Sequence, residues 1–200
     1  VPSYQALEGF NPLMEGQHEI NCLNERYHRA GRLLQPACSG MDATEAALVG
    51  MIRASGEADA LLHVVCHGMT DPEDPMRSGL ILTDSVLDAG EIARIYPCPR
   101  EVVLSACSTG FRPLQAGEFQ LVADEVLGLP GAFMEAGAQS LLTSIPPAND
   151  KTASRFMLQY HDHRLASLSP LTAFCETQRV MLAQGEPVYR WAGFLLYGCS

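Results

Sequence analysis

Short apolar runs alternate along the chain with longer segments in which apolar residues recur every three or four positions. A strand that is buried on both faces is continuously apolar, whereas a helix packed on one side has a period of 3.6 residues. The clearest runs, residues 61–66 and 102–106, are rich in valine and leucine and have the length of a strand. The alternation predicts an α/β protein with a largely parallel sheet covered by helices on both faces.

The same two patterns predict the remaining elements. Helices are expected over residues 15–34, after the capping box at residues 42–45, over 89–95, within 121–136 on either side of Gly128-Leu129-Pro130, and from Asp150 and Ser169 onward. Further strands are expected at residues 79–83, 138–144 and 188–197.

Composition and charge narrow the class of protein. Two hundred residues that are 47% hydrophobic can bury a core without disulfides, so we predict a single domain over residues 1–200. Because the sequence lacks an initiator methionine, we expect this domain to be a piece of a longer chain. The net charge of −10 argues against binding of nucleic acid, which needs clustered Lys and Arg, and mildly favours a basic protein or peptide partner.

The cysteines and the apolar segments indicate the compartment. The seven cysteines are odd in number, widely spread and without a C-x-x-C pair, which is typical of reduced thiols in a cytoplasmic protein. No apolar stretch reaches the roughly 18 residues that a membrane span needs, and no export signal opens the chain. We therefore predict no membrane association.

Two reactive side chains follow the two clearest apolar runs. His67 closes the strand predicted from the first run, and Cys107 closes the one predicted from the second run, forty positions later. The working site of an open α/β sheet lies beyond the carboxyl ends of its strands, and neighbouring strands about 4.8 Å apart would bring the imidazole near the thiol. The imidazole can then take the thiol proton and leave a nucleophilic thiolate. The backbone N–H groups of Gly68 and Cys107 would face the carbonyl oxygen of a scissile bond.

Other candidate ligands have structural interpretations. In an extended strand Cys66 points to the face opposite His63 and His67, which leaves too few ligands for a tetrahedral zinc site. We therefore predict no metal and no cofactor. His161 and His163 lie two positions apart on a predicted helix, so they diverge, and we expect both to be solvated surface histidines.

A series of short motifs recurs in a characteristic order over residues 9–200: His67-Gly68, Ser78-Gly79-Leu80, Glu91-Ile92, residues 104–110 around Cys107, Gly117-Glu118, residues 133–138, and Trp191-Ala192-Gly193-Phe194 before Gly198. In their order and spacing these motifs resemble the CHAT domain, a caspase-like peptidase module of the same broad group as caspases and separase. The resemblance implies a caspase-like three-layer α/β sandwich with a mostly parallel central sheet. It further implies that His67 is the base, that Cys107 is the nucleophile, and that the N–H of Gly68 contributes to an oxyanion pocket.

The chain departs from the family pattern at residues 145–150. CHAT and separase-like chains usually place Leu-Trp here, whereas this chain has Ile-Pro-Pro-Ala-Asn-Asp, and its prolines remove backbone donors that an extended peptide could use. In separase-like relatives an acidic residue hereabouts receives a basic side chain before the cut, and Asp150 is the best match. Asp150 can also be a plain helix N-cap, so both interpretations stay open.

The sequence leaves three candidate functions open. The favoured one is a cysteine endopeptidase with a protein substrate, activated by a regulatory partner or sensor module, because the resemblance links CHAT modules to sensing or repeat-containing segments. The second is a catalytically inactive interaction or scaffold domain in which Cys107 only packs. The third is a redox-sensing thiol, which has Cys66 as its sole obvious near neighbour and no resolving pair in the sequence.

Overall fold

A computed structural model describes residues 1–4, 12–71, 73–105, 128–144 and 150–198 of the chain. Within these ranges the strands are β1 (Leu61–Val65), β2 (His67–Met69), β3 (Gly79–Ile81), β4 (Val86–Asp88), β5 (Glu101–Ser105), β6 (Ser140–Ser144) and β7 (Phe194–Gly198). The helices are α1 (Met14–Arg29), α2 (Glu45–Glu57), α3 (Ala89–Ile92), α4 (Leu129–Glu135), α5 (Asp150–Leu165) and α6 (Pro170–Ala183). Single turns of 3-10 helix lie at Pro75–Arg77 and Val188–Arg190.

Four strands form the central sheet in the order β1-β5-β6-β7. β1 is parallel to β5, and β5 is parallel to β6, while β7 runs antiparallel to β6 at the edge. The predicted mostly parallel sheet is therefore confirmed. The last strand is shorter than the predicted residues 188–197, because Val188–Arg190 form a 3-10 turn before the chain enters the sheet.

Helices cover both faces of this sheet and make three layers. On one face α2, α3 and α4 pack through a cluster that includes Ile52 and Phe133. On the other face Phe156 belongs to the cluster that joins α5 and α6 to the sheet, and Ile20 of α1 packs on Val65. Since the strands are apolar on both sides, each face buries its own layer of helices. The expected three-layer α/β sandwich is confirmed.

Directly after β1, the chain forms a second, antiparallel sheet of three strands, β2, β3 and β4. The sequence predicts that His67 closes the apolar strand, but β1 ends at Val65 and His67 is the first residue of β2. The change of sheet follows from pairing, because His67 lies in register with Ile81 of β3 rather than with a residue of β5. His67 therefore belongs to the small sheet, one residue beyond the link made by Cys66.

Local signals explain where several helices begin and end. Ser169 caps α6 by accepting a hydrogen bond from the N–H of Thr172 at 3.2 Å, as its sequence context predicts. The cap of α2 is Thr44, whose hydroxyl accepts from the N–H of Ala47, and not Asp42, the first residue of the predicted capping box. α1 ends before the predicted residue 34, because the chain turns at Gly31 with a φ of +65°. Among the described helices, none has both the length and the apolar character that crossing a bilayer requires.

Candidate active site

His67, the candidate base, is held at the start of β2 by Tyr4. The Tyr4 hydroxyl accepts a hydrogen bond from the backbone N–H of His67 at 2.8 Å and donates one to the carbonyl oxygen of Ile81 at 3.1 Å. Because His67 and Ile81 are paired in register, this hydroxyl bridges β2 and β3. The two aromatic rings also meet, with centroids 4.6 Å apart and planes tilted by 56°. Tyr4 thus contacts both the backbone and the ring of His67.

The chemistry of Tyr4 suits this bridging role. Its side chain is only 4% exposed, and burial raises the pKa of the Tyr4 hydroxyl above its ordinary value. The hydroxyl consequently keeps its proton and remains a donor to Ile81 while it accepts from His67.

The paired strands β1 and β5 end just before the two candidate catalytic residues in the sequence. Their parallel register pairs Val65 with Ser105, the last residues of the two strands. His67 stands two residues after Val65, and Cys107 stands two residues after Ser105. Cys107 and its backbone N–H lie outside the described residues.

Of the other predicted site residues, the structure describes Gly68 and the backbone of Asp150. Gly68 follows His67 in β2 and is paired with Leu80 of β3. Asp150 is the first residue of α5, and its side chain lies outside the described residues. Of the predicted site residues, the structure thus describes His67 and Gly68 completely, and these two are adjacent in β2.

Two of the candidate metal ligands, Cys66 and His63, lie on opposite faces of the central sheet. Cys66 belongs to the apolar cluster that contains Leu62 and Val64, whereas His63 contacts Glu19 on the other side of the sheet. The alternation that the sequence predicts for Cys66 and His63 is confirmed. Within the part of the chain that the structure describes, no group of three or more His, Cys, Asp or Glu residues is arranged to hold a metal ion.

A buried row of polar side chains lies under the ends of β1 and β5, on the face that α1 and α5 cover. The Glu19 carboxylate, 1% exposed, lies 2.8 Å from His63 Nε2 and accepts from the Ser105 hydroxyl at 3.2 Å. His63 Nδ1 lies 2.9 Å from Nε2 of His161, whose Nδ1 lies 2.8 Å from the Tyr27 hydroxyl. This row, Ser105–Glu19–His63–His161–Tyr27, joins α1, β1, β5 and α5. We call it the buried row because Glu19 and His161 are buried, while Ser105, His63 and Tyr27 are partly buried.

The prediction that His161 is a solvated surface histidine is wrong. Its side chain is 1% exposed, because α5 turns this position toward α1 and β1. Burial, then the neighbouring His63 and the positive Arg164 and Arg26, hold the pKa of His161 well below its ordinary value. The imidazole is therefore neutral, and both of its ring nitrogens have partners in the buried row. His163 is partly exposed and lies beside Gln159.

Two residues that contact the site region were not identified in the sequence. Tyr4 stands in a weakly patterned segment and its bond to His67 spans 63 positions, so no local signal marks it. Glu19 did carry a signal, because it lies four positions before Leu23 on the buried side of α1. A carboxylate on the apolar face of a helix indicates a buried hydrogen-bond partner.

Comparisons with known proteins identify the family of the chain. The family model of the CHAT domain matches residues 5–199, nearly the whole chain. A search of curated proteins gives no match to the chain. The CHAT family is caspase-like and related to peptidases, and the three-layer sandwich with its mostly parallel sheet is consistent with a caspase-like fold. On the family match, the chain belongs to the CHAT domain family.

Proposed function

We propose that this chain is a cysteine endopeptidase that uses His67 as its base and Cys107 as its nucleophile. The observation that carries the proposal is that β1 and β5 end side by side, at the paired residues Val65 and Ser105, and that His67 and Cys107 each stand two residues further along the chain. Neighbouring strands are about 4.8 Å apart, so these two strand ends are close together, and His67 pairs with Ile81 in the small sheet that begins beside them. Membership of a peptidase-related family supports the same assignment.

The reaction would proceed by acyl transfer. His67 takes the thiol proton of Cys107, and the thiolate attacks the carbonyl carbon of the scissile peptide bond. The carbon–nitrogen bond then breaks, the imidazolium gives its proton to the leaving amine, and a thioester remains on Cys107. Water, activated by His67, hydrolyses the thioester and releases the new carboxyl terminus. Tyr4 supports this role by restraining the backbone and ring of His67.

Backbone donors would stabilise the charge that develops on the substrate carbonyl. In the proposal the N–H groups of Gly68 and Cys107 hold the oxyanion, a contribution that typically changes rates by about two to three orders of magnitude. Gly68 is adjacent to His67 in β2, which supports its assignment. Asp150, at the start of α5, is proposed to receive a basic side chain of the substrate before the cut.

The proposed setting is the cytoplasm, with a protein substrate and a regulatory partner or sensor module. Free thiols at Cys22, Cys38, Cys98 and Cys175 suit a reducing compartment. The net charge of −10 favours a basic protein or peptide over a nucleic acid.

A thiol-directed peptidyl electrophile tests the proposed dyad. We expect mass spectrometry to find the probe on Cys107 in the wild-type protein and no such adduct in Cys107→Ala. His67→Ala should reduce labelling at Cys107 by at least about tenfold, because a general base typically contributes two to four orders of magnitude. Cys22 is a matched control, since its sulfur lies 3.6 Å from Nε2 of His18 on the surface of α1. Cys22→Ala and His18→Ala should leave labelling at Cys107 unchanged.

The labelling pattern separates the three candidate functions. Labelling of Cys107 that does not depend on His67 would contradict the dyad and favour a redox thiol. A wild-type protein that takes up no probe at Cys107 would contradict the endopeptidase and favour an inactive scaffold.

A peptide-library cleavage profile tests the substrate role of Asp150. If its carboxylate receives a basic side chain, Asp150→Asn should lose the preference for Lys or Arg before the cut while cleavage of other sequences continues. An unchanged profile would assign Asp150 to a helix cap alone. Asp84→Asn is a suitable control. Asp84 lies in the loop between β3 and β4, and its carboxylate accepts a hydrogen bond from the backbone N–H of Glu45.

A further inference from the structure

Glu19 is a buried carboxylate whose two oxygens are both used. Oε1 lies 2.8 Å from Nε2 of His63 in β1, and Oε2 accepts from the hydroxyl of Ser105 in β5 at 3.2 Å. A carboxylate that is 1% exposed is costly to bury unless its oxygens accept hydrogen bonds. These two contacts therefore tie α1 to the ends of the two strands that precede His67 and Cys107.

The remaining members of the buried row continue from His63 to Tyr27. His63 Nε2 faces the Glu19 carboxylate and donates to it. His63 Nδ1 lies 2.9 Å from Nε2 of His161, and His161 Nδ1 lies 2.8 Å from the Tyr27 hydroxyl. Burial holds the pKa of His161 well below its ordinary value, so this imidazole is neutral and offers one donor and one acceptor nitrogen to these two contacts.

The order of groups excludes a second hydrolytic triad. In a serine triad the histidine stands between the hydroxyl and the carboxylate, so that it can take the hydroxyl proton. Here the carboxylate stands between Ser105 and His63. Ser105 is therefore held by Glu19 and is not activated as a nucleophile by His63.

We propose that Glu19 and Ser105 are positioning residues for the candidate nucleophile: the carboxylate on α1 anchors the end of β5, from which the chain continues to Cys107. This inference rests on the proposed endopeptidase function and adds α1 to the elements that set its geometry. Ser105 is the last residue of β5 and stands two residues before Cys107. A displacement of about 1 Å at a reacting atom can cost about a hundredfold in rate.

The structure explains why the anchor is firm. Glu19 is oriented by His63, His63 by His161, and His161 by Tyr27, so a rotation of one side chain breaks the bond to the next. α1 also packs along α5, which carries His161. The end of β5 is consequently fixed relative to two helices, and a shift of α1 would displace Ser105.

Four variants test positioning against simple stability. Ser105→Ala and Glu19→Ala remove the anchor, and we expect each to lower kcat about tenfold or more while KM stays within about twofold. Ser105→Thr keeps a hydroxyl and should stay within about threefold of wild-type kcat. Glu19→Gln keeps both contacts, because its carbonyl can accept from His63 and its amide can donate to Ser105, so it should also stay near wild type. Glu25→Ala is the matched control on α1, since Glu25 is 62% exposed, and it should change neither parameter.

Both kcat and KM are measured with a peptide chosen from the cleavage profile, and thermal unfolding checks that each variant is folded. If Glu19→Ala does not fold, the comparison of Ser105→Ala with Ser105→Thr alone tests the inference. A folded Ser105→Ala with wild-type kcat overturns the inference. A Glu19→Gln as slow as Ser105→Ala also overturns it, because the charge and not the position would then matter. If the wild-type protein shows no cleavage that depends on Cys107, the proposed function is overturned together with this inference. That outcome can be told apart from a failure of the inference alone, because the wild type and every variant would then be equally inactive.

Discussion

Tyr4 shows how a single hydroxyl can restrain a candidate catalytic side chain from a distant part of the chain. We expect Tyr4→Phe to lower the free energy of unfolding by about 1–3 kcal/mol, because it removes the acceptor of the His67 N–H and the donor to Ile81 inside the fold. Phenylalanine keeps the ring contact with His67, so the variant isolates the hydroxyl. Urea unfolding measures the change.

The control for this prediction is a tyrosine on the surface. Tyr96 is 82% exposed, so Tyr96→Phe should change the free energy of unfolding by less than about 0.5 kcal/mol. Equal stability of Tyr4→Phe and Tyr96→Phe would mean that water replaces the Tyr4 hydroxyl at no cost.

We expect His161 to make the stability of the protein depend on pH. Its folded-state pKa is held well below the ordinary value by burial, then by His63, Arg164 and Arg26. Below the ordinary pKa of about 6.5 the unfolded chain binds a proton at His161 that the folded chain does not bind, so the free energy of unfolding falls as pH decreases. One such group contributes a slope of at most about 1.4 kcal/mol per pH unit.

Urea unfolding between pH 7.5 and 5 measures this slope. We expect His161→Gln to be less stable at every pH, since it breaks the buried row, but to have a shallower slope below pH 6.5. The exposed His28 on α1 is the matched control, and His28→Gln should keep the wild-type slope. Parallel curves for wild type and His161→Gln would show that His161 is protonated in the folded protein.

At the scale of the elements, the contact of α1 with β1 depends on a glycine. A Cβ on Gly16 would lie 2.6 Å from Cγ1 of Val65, the last residue of β1. Gly16→Ala must therefore push α1 away from the strand end, and overpacking of this kind costs about 1–3 kcal/mol. We expect a lower melting temperature and a weaker anchor at Ser105, visible as a lower kcat with KM unchanged.

A glycine in α2 provides the comparison. Nothing lies within 4 Å of the position that a Cβ on Gly50 would take, so Gly50→Ala should raise stability by about 0.5–1 kcal/mol through helix propensity. The result would be contradicted if both alanine variants shifted the melting temperature in the same direction.

The elements themselves were largely predictable because their patterns are local. The apolar run at residues 61–66 and the Ser169-Pro170 start of α6 depend on burial and capping within a few residues, and both lie where the sequence predicts. The predictions failed where a distant partner decides. His67 opens β2 because it pairs with Ile81 of β3, and Val188–Arg190 turn before the edge strand begins.

The site was less predictable than the fold for the same reason. His67 was identified from its place after an apolar run, yet its partner Tyr4 is separated from it by 63 positions. His161 was assigned to solvent because its own helix gives no sign of the partners that bury it, Tyr27 and His63, which are contributed by α1 and β1. Buried polar contacts between elements depend on tertiary packing, which periodicity does not encode.

At the scale of the whole molecule, the two faces of the central sheet differ in the kind of contact that they bury. The face that packs against α2, α3 and α4 is an apolar cluster. The opposite face, under α1 and α5, contains the buried row in addition to apolar contacts. α1 contributes Glu19 and Tyr27 to this row, and through these two side chains it contacts β1, β5 and α5.

The overall charge gives the last prediction. With 23 acidic and 13 basic residues, the chain carries a net charge of −10 and should attract basic peptides over distances comparable to the Debye length. That length falls from about 30 Å at 0.01 M salt to about 8 Å at 0.15 M. We expect kcat/KM for a peptide flanked by lysines to fall several-fold over this range, mainly because association slows.

The matched substrate keeps the same cleavage sequence but replaces the flanking lysines with glutamine, and its kcat/KM should be nearly independent of salt. A difference confined to the lysine peptide would locate the effect in long-range attraction rather than in contacts at the site, because screening leaves buried contacts largely unchanged. Equal salt dependence for the two peptides would contradict the expected preference for a basic partner, and it would leave selectivity to local contacts such as the one proposed for Asp150.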